Sequence, residues 1–470
     1  MTFYQKILDD RIIGINASSS PGTGWTTVAS FPTMVTNARA QNLPLYLRPG
    51  TYPSLQIDVL TSTGSGNPLT LTAEVGTATI QLSGSAPYLF KANGVNNIDI
   101  SNVIFDGNNV ALTDSSQTAG LLHFSGSGIT NFNIRNCDIN NSTAAGISCD
   151  SGANGKITDN RIYNCDTGVF SIDCTVYVQR NRVTYCNNNG IIIWTSSING
   201  NSSEISDNYI DTIKNNAGGT GQFGNGVGIY RAYNVKILNN TIFNCNYSAI
   251  RLNASGNSHV VGNYCYNLRE TAIFMEAPGA GENLDGGVVA NNIVNTAGTG
   301  ILVVNSGLYG DGISRRVTVI GNQVSNLVRN HIPEEGGYTS AIGILVEGSC
   351  NVVGNNIENA ARCGIVLGTN NASTDLTASG NFVHSCPLGV GYSANSSATG
   401  TLISSNLISN YTVPSGPSDP NYPYSGAIVS VSYNGTDYQR DAPGGGANTD
   451  YGNSTQTTVG PLTVGVNKAH

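Results

Sequence analysis

Charge is scarce in this sequence. Asp, Glu, Lys and Arg make up 11% of its 470 residues, with 21 basic side chains and a formal net charge of -8. No basic stripe is available to neutralise phosphates, which excludes a nucleic-acid partner. Segments rich in Ala, Glu, Lys and Leu are missing, which excludes long helices. No stretch approaches the ~18 consecutive apolar residues of a spanning helix, so no membrane span is expected. The opening residues, MTFYQKILDD, show no apolar core behind a basic start, so no export leader is read there. Cys-x-x-Cys spacing is absent, so neither a metal site nor a cofactor is expected.

What is abundant points one way. Gly (57 residues), Asn, Val and Ile dominate, and a hydrophobic fraction of 39% excludes disorder. The phrase Asn-x-(Ile/Val/Leu) recurs at Asn102, Asn160, Asn181, Asn208, Asn240, Asn322 and Asn381. Looser copies start at Asn136, Asn263, Asn292, Asn356 and Asn406. A second phrase follows each: Gly or Ala, then alternating aliphatic residues, as in TGVFSID, GIIIW, GIYR, AIRLN, AIFME and GILVE. The apolar period is two, so these are strands, not helices. One coil cannot bury its apolar face alone, but stacked coils bury a continuous core. The expectation is an all-β, single-domain, right-handed parallel β-helix of about 12 coils, with an Asn ladder at one corner.

Cys165, Cys186, Cys245 and Cys386 each follow a phrase Asn by five residues. They should share one column as buried free thiols, with a disulfide between Cys165 and Cys186 left open. The N-terminal stretch SFPTMVTNARAQN sets Phe31, Met34, Val35 and Ala38 at helical spacing behind Ser30 as N-cap. A short helix there would cap the first coil. The expected division is residues 1–60 for the cap and first strands, 61–410 for the β-helix, and 411–470 for a last strand, AIVSVSYNG, and an extended tail.

The helix followed by LYLRPGTY and stacked N-x-I coils resembles the pectin-lyase-like superfamily. DTGVFSIDC, NNGIIIWTS, GNGVGIYRAYN, SAIRLNASGN and AIFMEA are similar to a twin-arginine-exported, uncharacterised β-helix repeat family of bacteria. The similarity runs from about Asn42 to the end. It implies an extracellular or periplasmic protein, although the only adjacent arginines, Arg315 and Arg316, are internal and no twin-arginine leader is present.

Stacking the second phrases in register predicts two outward columns. One holds Ser148, Phe170, Ile192, Gly228, Arg251, Phe274 and Leu302. The other holds Asp150, Ile172, Trp194, Tyr230, Asn253, Glu276 and Val304. Asp173, Thr195 and Arg231 follow at the strand ends. With coils ~4.8 Å apart, Trp194, Tyr230, Arg231, Arg251, Asn253 and Glu276 would fall within about four coils, a patch ~15–20 Å long and enough for a few sugar rings. The insertions Lys214 to Gly226 and Ala277 to Gly287 would wall it. Tyr230, Arg231, Arg251 and Glu276 are the candidate catalytic residues. Trp194, Asn253, Asp173 and Phe274 are the candidate substrate-binding residues.

Arg would neutralise a uronate carboxylate while Tyr moves a proton, as elimination or epimerisation requires. Glu276 and Asp173 lie four coils apart, ~19 Å, too far for a glycosidase pair. An outward Arg251–Glu276 ion pair of little consequence is the plain alternative. Asp150 and Glu347 read as solvated-face charges, and His331 as a loop residue in another insertion. The expected partner is a polysaccharide or oligosaccharide, with an enzyme of lyase or epimerase type. The competing class is a non-enzymatic receptor-binding or adhesive β-helix, such as a tailspike-like protein. Monomer and trimer both stay open.

Overall fold

A computed structural model describes residues 2–17, 21–60, 67–219, 221–279, 281–304, 314–369, 374–393, 399–411, 425–433, 438–440, 457–459 and 462–469. The fold is an all-β, right-handed parallel β-helix with, among the described residues, one short helix near its start. It divides into two compact units. The first is Met1–Ser196 with Asn201–Asn216, and the second is Ser197–Gly200 with Ala217–His470.

The first unit begins with an antiparallel hairpin, Phe3–Leu8 against Arg11–Ile15. Ile12 then pairs in parallel with Leu45, which starts the coils. Helix α1 (Phe31–Ala40) buries Phe31, Met34, Val35 and Ala38, the four positions that its spacing marks. Ser30 takes the N-cap position with extended backbone, but its hydroxyl contacts Thr33 Oγ1 at 3.0 Å instead of a backbone N–H. Pro32 at the first turn supplies the fixed φ a helix start favours. Parallel pairing then continues coil on coil, with Phe170 opposite Ile192 and Ile172 opposite Trp194.

In the second unit the register puts Ile229, Leu252, Met275, Val303, Val346 and Leu367 in one inward column. All six are fully buried, and each contributes roughly 1.5–3 kcal/mol of apolar burial. The strand Gly426–Tyr433 pairs in parallel with Leu388–Ser393. Further on, Leu462–Val464 pairs with Thr401–Ser404. Residues 412–424, where the repeat breaks, lie outside the described residues.

The corner ladder forms in both units. In the first, Oδ1 of Asn181 accepts both N–H groups of Asn160 at 3.0 Å, and Asn208 does the same for Asn181. In the second, the ladder runs Asn240, Asn263, Asn292, Asn322, Asn355, Asn381, Asn406, Asn467. The rung is Asn355 and not Asn356, because in GNNI the rung precedes the core Ile by two residues. Asn102 and Asn136 are not rungs either. They adopt the left-handed turn just before the rung, at φ 62° and 53°, and Val103 and Cys137 fill the slot buried. All ten cysteines are free and buried. The thiols of Cys165, Cys245 and Cys386 donate to the carbonyl two residues earlier at 3.4–3.5 Å.

Candidate functional site

Three adjacent strands of the second unit build the site: Asn225–Tyr233, Ile250–Asn253 and Tyr264–Glu276. The register sets Gly228 beside Arg251 and Arg251 beside Phe274. One pleat on, it sets Tyr230 beside Asn253 and Asn253 beside Glu276. These are the neighbours that the phrase alignment predicts.

The outward face is covered. Tyr230 and Arg251 are 8% exposed, Glu276 3% and Phe274 2%. The cover includes the backbone around Gly221, whose φ of +77° is left-handed. A Cβ there would lie 1.5 Å from Nη1 of Arg251. Only glycine lets the chain cross the guanidinium so closely. Asn225 Nδ2 donates to the Gly221 carbonyl at 2.9 Å, and Tyr230 Oη donates to the Gln222 carbonyl at 3.3 Å. The open patch read from the sequence is therefore a covered one. Strand periodicity reports which side chains leave the core, but not what lies over them.

Beneath that cover, Arg251 donates to Oε1 of Glu276 through Nε at 2.8 Å and Nη2 at 2.7 Å. Asn253 Nδ2 donates to the same oxygen at 2.7 Å. The guanidinium lies over the Phe274 ring, 4.7 Å from its centroid. Burial opposes the Arg251 charge, but Glu276, Glu270 and Tyr230 outweigh it and hold the proton firmly. Burial pushes the Tyr230 hydroxyl up to about 12, with Arg251 pulling the other way. Tyr230 is thus a neutral proton donor at physiological pH.

Glu270 belongs to this cluster and escapes the phrase alignment. It is 8% exposed and accepts a 2.9 Å hydrogen bond from Ser248 Oγ. Burial pushes its carboxyl up to about 7, opposed by Arg251 and the Ser248 bond and reinforced by Glu335 and Glu276. The strand bulges between Leu268 and Thr271, so the alternation that identifies Glu276 does not extend back to Glu270. The available signal is a charged pair, Arg269-Glu270, just ahead of AIFME in the same strand. Tyr247 lies close by, fully buried, with a hydroxyl that has no hydrogen-bond partner among the described residues. A Cβ on Gly219 would sit 2.2 Å from that oxygen. Burial, then Glu335, Glu334 and Glu270, push Tyr247 up to about 12.

The other expected residues fall elsewhere. Arg231 adopts left-handed backbone (φ 56°) and pairs through Nε with Glu282 Oε1 at 2.8 Å, anchoring the segment after Glu276. Trp194 and Asp173 belong to the first unit. Trp194 is half-buried. Asp173 accepts the Ser196 backbone N–H at 2.8 Å and the Ser196 hydroxyl. Asp150 is not a solvated charge: His123 Nε2 lies 2.9 Å from its Oδ2. Burial pulls the Asp150 carboxyl up, but hydrogen bonds from His123 and two serines outweigh it and hold it at about 2. Glu347 is fully buried, again not a surface charge. For Asp150 the cause is a partner from another coil, which a local reading does not see. His331 is exposed and packs on Tyr338, with ring centroids 4.7 Å apart. Among the described residues, no three His, Cys, Asp or Glu side chains are grouped to hold a metal ion, and no helix is long and apolar enough to cross a membrane.

No protein-family model matches this chain, and no curated protein matches it in sequence. Similar solved structures include the A-module of the mannuronan C-5 epimerase AlgE6 from Azotobacter vinelandii. It is 15% identical with a TM-score of 0.47, over 81% of this chain and 95% of that one. The alginate lyase AlyF-OU02 is 13% identical with a TM-score of 0.47, over 94% of each chain. The Dettilon tailspike protein is 13% identical with a TM-score of 0.38, over 79% of this chain and 64% of that one.

Proposed function

We propose that this protein acts on a uronic-acid-containing polysaccharide outside the cytoplasm, by elimination or epimerisation at the Arg251 cluster. The observation that carries this reading is Glu270, a buried carboxyl titrating near neutrality beside an arginine and a neutral tyrosine. Such a group is poised to exchange a proton at working pH. Arg251 and Asn253 would bind the uronate carboxylate, withdrawing charge and acidifying the C5–H bond. Glu270 takes the C5 proton. In elimination the C4–O bond then breaks, a C4=C5 bond forms, and Tyr230 protonates the leaving oxygen. In epimerisation the Tyr230 hydroxyl instead gives its proton to the C5 carbanion from the opposite face, and the phenolate and the protonated Glu270 are reset by proton exchange with solvent. Glu276 orients the guanidinium in the resting site and gives way to the substrate carboxylate. Phe274 backs the guanidinium, and Arg231 secures the neighbouring segment. Access requires the backbone around Gly221 to move.

Incubation with a panel of polyuronates tests this, with ultraviolet absorbance reporting unsaturated ends and NMR reporting inverted C5 centres. Product with wild type and none with Glu270→Gln is the expected result. Absence of product and of glycan binding across the panel would sink it, as would equal glycan binding by wild type and Arg251→Ala.

One observation favours a second reading. The Arg251–Glu276 pair is closed off and internally satisfied, as a purely structural network would be. A non-enzymatic, receptor-binding or adhesive β-helix of tailspike type fits that state. It predicts glycan binding without turnover and no change on Glu270→Gln.

A further inference from the structure

A cleft of about 390 Å³ opens in the second unit, lined by Asn244, Asn246, Asn267, Thr296, Asn330 and His331. Arg269 also lines it, and this cation is already matched by Glu334, with Nη1 3.1 Å from Oε1. The polar part of the lining is thus mainly amide and hydroxyl, set beside Leu268 and Val328, with its guanidinium charge compensated.

An aromatic ledge leads into this cleft. Tyr264 and Tyr266 alternate outward on one strand, with ring planes 14° apart and centroids at 6.5 Å. Phe243, the register partner of Tyr266, stands edge-on to both at 5.5 and 5.9 Å. Tyr266 is 40% exposed. The residue after Phe243 is Asn244 and the residue after Tyr266 is Asn267. Both are left-handed, at φ 52° and 56°, so each strand turns from ring to amide at the cleft edge. The two amides are themselves bonded, Asn267 Nδ2 to Asn244 Oδ1 at 2.6 Å, which fixes their orientation.

We infer that this ledge and cleft form a second carbohydrate site, taking an uncharged pyranose unit of a glycan. A pyranose has an apolar C–H face, which buries against exposed aromatic rings. Its equatorial hydroxyls each donate and accept, which planar amides and hydroxyls match. With Arg269 matched by Glu334, what the cleft offers a ligand is amides, a hydroxyl and the neighbouring rings, so an uncharged sugar needs no ion pair broken to bind. The site differs from the Arg251 cluster in its residues, and the inference holds whether or not that cluster is catalytic.

Calorimetric titration of the full chain with neutral oligosaccharides of hexose and N-acetylhexosamine, alongside polyuronate fragments, tests it. The expected result is saturable binding of a neutral oligosaccharide, weakened about tenfold by Tyr266→Ala, the loss of one stacked ring. Tyr266→Phe keeps the ring and should keep the affinity, while Arg251→Ala should leave neutral-sugar binding unchanged. Tyr266→Ala should also leave any polyuronate turnover unchanged. The inference is overturned if no neutral oligosaccharide binds, if Tyr266→Ala binds like wild type, or if Arg251→Ala abolishes the neutral-sugar binding.

Discussion

Arg251 directs Nε and Nη2 at one oxygen of Glu276, 2.8 and 2.7 Å away, and both side chains are at least nine-tenths buried. Removing either partner strands a charge away from water. Glu276→Ala should therefore destabilise the protein by about 3–5 kcal/mol, whereas an exposed pair would cost less than about 1 kcal/mol. Replacing both, Arg251→Met with Glu276→Leu, should restore most of that loss, because no charge is left unmatched. Denaturant midpoints of the three proteins decide it. A single substitution as mild as an exposed one would mean that water reaches the pair.

Glu270 makes stability depend on pH. Burial raises its carboxyl from 4.5 to about 7 in the folded chain, so the folded state binds the proton more tightly than the unfolded state. Its contribution is full below the unfolded value and is lost as pH rises through the folded one. The loss from this group, between about pH 4.5 and 7, is of order 3 kcal/mol. Glu270→Gln, which stays neutral, should be more stable than wild type at pH 8 and close to it at pH 4. Denaturation across that range checks the sign. If Glu270 is the base, turnover should rise with pH through about 7.

Much of this arrangement is legible in the sequence, because a parallel strand's side-chain period is two and its register is shared. Aligning GIYR, AIRLN and AIFME sets Arg251 beside Phe274 and Asn253 beside Glu276, which are the neighbours in the strand register. Three things are hidden from that alignment. The crossing of Gly221 over Arg251 depends on loop conformation, which has no period. The bulge between Leu268 and Thr271 shifts the phase and conceals Glu270. The match of Asp150 to His123 spans 27 residues of chain, so only the folded stack brings them together.

Gly221 and Gly218 provide a matched comparison. Both have left-handed backbone, at φ +77° and +104°, but a Cβ at 218 meets nothing within 4 Å while one at 221 collides with Arg251. Alanine at either site carries the backbone strain, about 1–3 kcal/mol. Alanine at 221 must also displace the guanidinium or the segment over it. Gly221→Ala should therefore cost more than Gly218→Ala and speed amide hydrogen exchange at Gln222 and Asn225. Equal effects would show that the cover shifts freely over Arg251.

The neighbours Asn355 and Asn356 separate a ladder rung from a surface residue of the same type. Asn355 is 1% exposed. Its Oδ1 accepts the N–H and Nδ2 of Asn322 at 2.9 Å, and its own Nδ2 reaches Asn381 Oδ1 and the Val319 carbonyl at 3.0 Å. Asn355→Ala leaves several of these buried groups unmet, each worth about 1–3 kcal/mol, so a loss above about 3 kcal/mol is expected. Asn355→Asp should not rescue it, since an acidic oxygen replaces the donor facing Asn381. Asn356 is exposed, and Asn356→Ala should change stability by no more than about 0.5 kcal/mol. Thermal and denaturant unfolding of the pair compares one residue type across one peptide bond. A large loss at 356 would mean that the rung is assigned to the wrong asparagine.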